Sequence, residues 1–373
     1  MAADEITRAV LAREEIAAYL KGSHGESGRA ARQRIEGYLD ELRTTQRYSI
    51  YRALKHPLYP ILRKIERIGE HAEIPKAAAR AGRVIYASNH RSHTDYLVEP
   101  LVLDDHGIRP PVIAAGINLF AGPLGLIHRY VTGAVPIRRN AKDPAYLLTL
   151  KAYIAELLRT SDLFFYPEGG RSYSGEIKSP KTGLMHAALH TQHPHVVIIP
   201  TAVAYDLVLE DHVLARQRVK RSQRPFSREV AEMVRYAVGY TSRAFVSFGT
   251  PIPLAGIDPE SRRAALDLSH TVMRAIGRAY KVLPTAVVAS AMRPSTTRRE
   301  LEQRADALIE TLRASGANLG VTSGAHALDA ALEPLVSRGI LVVNRGRVRV
   351  RNRNVLRYYA RSIDHLLDSR PRR

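Results

Sequence analysis

From Arg83 onward, short apolar runs alternate with helical stretches, and that rhythm restricts the chain to few folds. The runs are "RVIYA" from Arg83, "PPVIAA" from Pro110, "GAVPI" from Gly133, "DLFFY" from Asp162, "HVVIIPTAVAY" from His195 and "AFVSF" from Ala244. Most are apolar throughout rather than every second residue, as strands buried on both faces are. Between them, "AYLLTLKAYIAELLRT" (Ala145 to Thr160) carries apolar residues at helical spacing, and a second helical stretch runs from Ser261 to Tyr280. The alternation predicts an α/β domain with a largely parallel sheet flanked by helices.

The flanks read differently. Residues 1–50 look helical, with a linker from Gly22 to Gly28 ("GSHGESG"). Tyr51 to Glu70 shows apolar and basic positions at helical spacing, interrupted by Pro57 and Pro60; it predicts a helix packed on the domain or a basic helix lying on a membrane. Beyond Pro294 come two helical patterns (Thr297 to Ser315 and Gly324 to Ser337). A hairpin signal follows in "GILVVNRGRVRVRN", then a last helix in "NVLRYYARSIDHLL", an order like that of a winged helix. The expected organisation is therefore 1–70 helical segment, 71–290 α/β domain, and 291–373 C-terminal helical domain with a basic β-hairpin.

The longest near-apolar run, Pro111 to Ile127, is punctuated by Gly116, Asn118, Gly122, Pro123 and Gly125, which makes a poor spanning helix. The N-terminal stretch is charged from Asp4 and lacks a signal-peptide core. No cysteine is present, which excludes a disulfide framework, a thiolate zinc site and a cysteine acyl-enzyme. These features predict a protein without signal peptide or transmembrane helix, on the cytoplasmic side. The net charge of +20 favours polyanions: phosphorylated substrates, an anionic membrane face or nucleic acid.

Three strand ends carry chemistry. In "VIYASNHRSHTDY", Asn89 and His90 stand at the C-terminal end of a predicted strand, where open α/β sheets bind ligands. Ser92 or Thr94 can cap the following helix, which puts Asp95 in its first turn. A carboxylate there can reach back to one imidazole nitrogen and leave the other as a general base. Alone, the motif reads more readily as two loop histidines beside a helix-start charge. A zinc reading of His90, His93 and Asp95 lacks a further ligand cluster. In "DLFFYPEGGRSYSG", Gly169 and Gly170 let backbone amides approach an anion, and Arg171 offers a bidentate fork. In "GAVPIRRN", Arg138 and Arg139 close a third strand.

In order and spacing these blocks resemble the glycerolipid acyltransferase superfamily, and within it most closely the bacterial glycerol-3-phosphate acyltransferases. The resemblance covers roughly residues 80–370 and includes "AAGINL", "SPKTG" and "RYYARSIDHLL". It implies that His90 and Asp95 form the catalytic dyad and that Arg138 and Arg139 hold glycerol 3-phosphate. It gives Glu168, Gly169, Gly170, Arg171 and Ser172 to the same phosphate substrate, and Pro200 in "VVIIPTAVAYD" to the acyl-donor side. Glu168 is read as orienting an arginine or a substrate hydroxyl. His93 receives no role. The implied co-substrate is acyl-CoA or acyl carrier protein, with no cofactor and no metal. Val135 and Pro136 replace the aromatic pair usual in the family's second block, so the resemblance fixes the chemistry more firmly than the acceptor.

Rival acceptors are dihydroxyacetone phosphate, lysophosphatidate or another lysolipid; Gly170 and the Arg138–Arg139 pair favour glycerol 3-phosphate over lysophosphatidate. The outside alternative is nucleic-acid binding through Arg345, Arg347, Arg349, Arg351, Arg353, Arg357 and Arg361. The same basic face suits an anionic membrane, and that reading is preferred.

Overall fold

The computed structural model describes residues 3–22, 27–58, 60–120, 123–191, 193–220 and 240–367. The middle of the Gly22–Gly28 linker lies outside the described residues. All six expected strands form: β2 (Arg83–Ser88), β3 (Val112–Gly116), β4 (Ala134–Ile137), β5 (Leu163–Phe165), β6 (Val196–Tyr205) and β7 (Ser242–Phe248). β1 (Ile65–Glu70) lies on one edge, and the short β8 (Ile252–Pro253) pairs with β6. The order is β1-β7-β6-β2-β5-β3-β4. From β6 to β4 every neighbouring pair is parallel, whereas β7 runs antiparallel to β6 and β1 parallel to β7.

β2 is central, and Val84 to Ser88 are fully buried along its length, which is why its sequence does not alternate. Helices cover both the sheet and its N-terminal flank. The Pro144–Leu157 helix starts with proline in its first turn after Asp143, whose carboxylate accepts from the Ala145 amide at 2.9 Å. Against it pack the helices Ala3–Leu11, Glu14–Lys21 and Gly28–Leu42. They bury Ile6, Val10, Ile16, Ile35 and Leu39, and Arg13 pairs with the buried Glu156 at 2.8 Å.

The helical expectation for Tyr51 to Glu70 fails in its second half. A helix spans Tyr48–Leu58 and a 3₁₀ turn Pro60–Lys64, but Ile65–Glu70 is strand β1. Ile65 and Ile68 satisfy helical spacing by coincidence, and six-residue pairing with β7 overrides it. The Pro111–Ile127 run is divided among β3, a 3₁₀ turn (Ile117–Phe120) and the Pro123–Tyr130 helix. Among the described residues no helix is long and apolar enough to cross a membrane.

The C-terminal segment has the expected helix, helix, hairpin, helix order: Arg298–Ala314, Gly324–Ser337, β10 (Leu341–Asn344), β11 (Arg347–Val350) and Arg353–Ala360. Arg345 and Gly346 both have positive φ (48° and 71°), which gives the two-residue turn the twist a hairpin requires. β9 (Ser295–Thr297), unforeseen, adds a third strand to β11. This segment is packed onto the α/β core. Arg338 is buried against Asp211 at 3.0 Å and donates to the Val208 and Leu209 carbonyls at 2.9 and 2.6 Å. Tyr359 donates its hydroxyl to the other Asp211 oxygen at 2.7 Å.

Candidate active site

The parallel strands bring their C-terminal ends to one edge of the sheet, and three of the predicted blocks meet there. His90 and Asp95 follow β2. The Asn89 side chain anchors the loop by exchanging two hydrogen bonds with the Val203 backbone, at 3.0 and 2.8 Å. Asp95 opens the Asp95–Asp105 helix and is fully buried. Its Oδ2 accepts from His90 Nδ1 at 2.8 Å and from the Arg91 and Ser92 amides at 2.6 and 2.8 Å. Its Oδ1 accepts from the Tyr205 hydroxyl at 2.7 Å.

The carboxylate therefore ties down the loop that precedes its helix while fixing the imidazole. The expected Ser92 or Thr94 cap is not made: the Ser92 hydroxyl donates to Glu210 at 2.9 Å and Thr94 lies 3.3 Å from the Tyr205 hydroxyl. With Nδ1–H on Asp95, His90 Nε2 is the basic nitrogen, and it has no hydrogen bond among the described residues. Burial pushes His90 down to about 4, against the hydrogen bond and charge of Asp95; Arg171 and His93 lower it further. The ring is neutral at physiological pH and ready to accept a proton.

Beneath it, the Tyr166 ring stacks on the imidazole with centroids 4.0 Å apart and planes 11° from parallel. Tyr166 in turn donates to Glu99 at 2.9 Å, and Ser88 donates to the other Glu99 oxygen. Glu99 is one helical turn beyond Asp95; burial, then the charge of Asp95, raises it well above the ordinary carboxylate range. The stack fixes the plane of the base from below.

Glu168, after β5, is buried. Its two oxygens accept from the His90 and Lys178 amides, each at 3.0 Å, so it staples two loops together rather than facing a substrate hydroxyl. Ser172 does similar work: its amide donates to the His90 carbonyl at 2.9 Å and its hydroxyl to the Glu176 carbonyl at 2.6 Å. Gly169 turns at a φ of +69°. A Cβ there would sit 3.0 Å from Lys181, and one on Gly170 would sit 3.8 Å from Arg139 and 4.0 Å from Lys178.

Arg171 is largely buried, 3.9 Å from Glu210 and over the Tyr173 ring. Arg139 lies across Gly116, where a Cβ would stand 2.8 Å from its guanidinium. Lys178 completes the group and donates its ammonium to the Arg171 carbonyl at 3.0 Å and to that of Gly170. Burial pushes Lys178 down; Glu168 opposes this, while Arg139, Lys181 and Arg171 lower it further. Four cations thus share one small region, an arrangement suited to a dianion.

Two predicted residues are not brought to this cluster. Arg138 turns to the N-terminal flank, forks onto Glu41 at 2.7 Å and lies over the Tyr38 and Tyr146 rings. Pro200 sits inside the sheet, level with Ala87 of β2. It falls in the gap where the partner of β6 changes from β8 to β7, so its missing N–H breaks no ladder bond, and its carbonyl accepts from Gly249 at 2.8 Å. Among the described residues no group of three or more His, Asp or Glu side chains is placed to hold a metal ion. Tyr166, Tyr205, Glu99, Glu210 and Lys178 were not singled out in the sequence; the Glu99 spacing of four from Asp95 was the one local signal.

A neutral, oriented imidazole beside a cationic cluster is the equipment for activating a hydroxyl on a phosphorylated acceptor. Residues 69–204 match the family model described as Acyltransferase. It is 34% identical to the glycerol-3-phosphate acyltransferase of Actinobacillus succinogenes over 60% of this chain and 29% of that one. The same-named proteins of Aeromonas hydrophila and Haemophilus influenzae are 31% and 33% identical over 62% and 58% of this chain and 30% and 28% of theirs. This chain therefore spans less than a third of the length of these curated relatives. Among solved structures, the 1-acyl-sn-glycerophosphate acyltransferase PlsC of Thermotoga maritima aligns over 57% of this chain and 70% of its own, at 18% identity and a TM-score of 0.35.

Proposed function

We propose that this protein transfers a fatty acyl group from an acyl thioester to the sn-1 hydroxyl of glycerol 3-phosphate, giving lysophosphatidate. The observation that carries the reading is His90, held through Nδ1 by Asp95 at 2.8 Å, with Arg171, one of the cations grouped around Lys178, acting on its charge. In the proposed step, Nε2 takes the hydroxyl proton as the oxygen attacks the thioester carbonyl. The tetrahedral oxyanion then collapses, the C–S bond breaks, and the imidazolium returns its proton to the leaving thiolate. Asp95 stabilises the imidazolium between these events. Acyl-CoA and acyl carrier protein both supply the required thioester, and no cofactor enters the step.

The cationic cluster supports a phosphorylated acceptor, and the relatives named for glycerol 3-phosphate favour that one. An assay offering glycerol 3-phosphate, lysophosphatidate and dihydroxyacetone phosphate in parallel tests this choice. The expected result is preferred turnover of glycerol 3-phosphate; exclusive use of another acceptor overturns the substrate and leaves the chemistry. Arg139→Ala is expected to raise KM for glycerol 3-phosphate by about tenfold or more, as loss of a charge-assisted contact to phosphate would.

The net charge of +20 supports peripheral attachment to the anionic, cytoplasmic face of a membrane, each basic residue near such a surface contributing about 1 kcal/mol. Sedimentation with anionic vesicles and not with neutral ones is the expected result. The C-terminal arginines are assigned to the same surface rather than to nucleic acid, and a sequence-specific gel shift would contradict that.

A further inference from the structure

Arg91 stands between the two dyad residues in sequence, yet its side chain leaves the dyad. It is 2% exposed and enters the seam between the α/β core and the C-terminal segment. Its Nη1 donates to the Gly175 carbonyl, and its guanidinium lies over the Tyr280 ring at 4.9 Å. Tyr358, on the Arg353–Ala360 helix, donates its hydroxyl to the Arg91 carbonyl at 3.4 Å. Nε and Nη2 have no hydrogen-bond partner among the described residues, and Arg91 lines a small cavity with Tyr205, Tyr280, Thr285, Tyr358 and Ser362.

A buried cation with so few hydrogen bonds needs compensating charge. Glu168 and Asp95 supply it; burial raises Glu168, and Arg91 is the leading charge that opposes this rise. Arg91 thus bears on three supports of the base: Asp95, Glu168 and the loop that ends at Gly175. Its amide donates to Asp95, its charge holds the carboxylate that accepts from the His90 amide, and its guanidinium grips the loop that ends at Gly175. Gly175 is itself pinned: its φ is +87°, and a Cβ would come 1.9 Å from the Tyr358 carbonyl.

We propose that Arg91 is a positioning residue that couples the C-terminal helix to the His90–Asp95 pair through Gly175, Tyr358 and Glu168. On this view the C-terminal segment is part of the catalytic apparatus, because it closes the seam that holds Arg91. The kinetic half of the proposal rests on the acyl-transfer reading; the structural half does not.

The test uses the full chain with Arg91→Lys, which keeps the charge, Arg91→Met, which keeps the bulk, and Gly175→Ala, which wedges the C-terminal helix away. Circular dichroism and thermal denaturation establish folding, and acyl-transfer kinetics give kcat and KM. Amide hydrogen exchange over Ser92–Val98 reports loop order without any activity. Arg91→Met is expected to lower kcat by about tenfold or more, as displacement of a base does, with KM for glycerol 3-phosphate little changed. Its Ser92–Val98 exchange should rise by about tenfold. Arg91→Lys should recover most of kcat, and Gly175→Ala should reproduce the exchange change.

Wild-type kcat and exchange in Arg91→Met overturn the proposal, as does an effect on KM alone. Equal losses in Lys and Met variants overturn the role of the charge. A wild-type protein inactive on every acceptor refutes the acyl-transfer reading, and the exchange measurement still decides the coupling. Should Arg91→Met fail to fold, Arg91→Lys and Gly175→Ala carry the decision.

Discussion

His90→Ala is expected to lower kcat by about 10³-fold, within the 10²–10⁴-fold range that positioned general bases contribute, while the protein stays folded. The imidazole makes one side-chain hydrogen bond, to Asp95, and rests on Tyr166. Its removal leaves Oδ2 of Asp95 with the Arg91 and Ser92 amides as donors, so the loop keeps these two anchors. On the proposed function, binding of a phosphorylated acceptor falls to the arginines and lysines, so KM should change little. Steady-state kinetics beside circular dichroism check the pair of expectations. A folded His90→Ala protein with turnover near wild type removes the base from the mechanism.

Arg338→Ala should be the most damaging single change to stability, at about 3–5 kcal/mol. Arg338 is 5% exposed and Asp211 fully buried, and they meet at 3.0 Å. Truncation leaves Asp211 with the Tyr359 hydroxyl and the His212 amide but no fully buried cation. It also removes the guanidinium donor from the Val208 and Leu209 carbonyls, the first of which keeps the Asp211 amide. Urea denaturation of the variant measures the loss. A change under about 1 kcal/mol, the value for an exposed pair, would show that this seam is not a buried one.

The strands of the sheet centre were legible because burial on both faces writes a continuous apolar run, as in Val84–Ala87 and Leu163–Phe165. β1 was not, because "IERIGE" lies at an edge and buries little beyond Ile65, leaving no pattern to read. The dyad was legible for a local reason: five residues carry the chain from a strand end into the first turn of a helix, within reach of the imidazole. The supports of the dyad are made by pairing instead. Register between β2 and β5 sets Ala87 beside Phe165 and so brings Tyr166 under His90; register between β2 and β6 brings Tyr205 to Asp95. Spacing along the chain contains neither. The split between Arg138 and Arg139 depends on the Gly28–Leu42 helix, whose Glu41 claims the first and leaves the second to the loop glycines. Glu168 and Ser172 lie against the His90 loop, and their contacts are with backbone amides and carbonyls, which residue type alone does not reveal.

The central claim is that a neutral His90 acts as base while Asp95 stabilises its charged form, and the pH profile of kcat/KM in wild type and Asp95→Asn tests it most directly. Three N–H donors converge on Oδ2, so an asparagine would keep its oxygen there and present its amide group to the Tyr205 hydroxyl. Geometry and tautomer survive, and only the charge is lost. Besides Asp95, the groups facing His90 are Arg171, His93 and the stacked Tyr166. Because His90 is held down at about 4, the wild-type rate should be flat through neutral pH and fall only as acid approaches that value. In Asp95→Asn the plateau should drop by about 10²-fold or more. Its acid limb should move lower still, since the hydrogen bond and charge that raise His90 are gone. A wild-type limb centred at the ordinary imidazole value, or an Asp95→Asn plateau equal to wild type, would contradict the account.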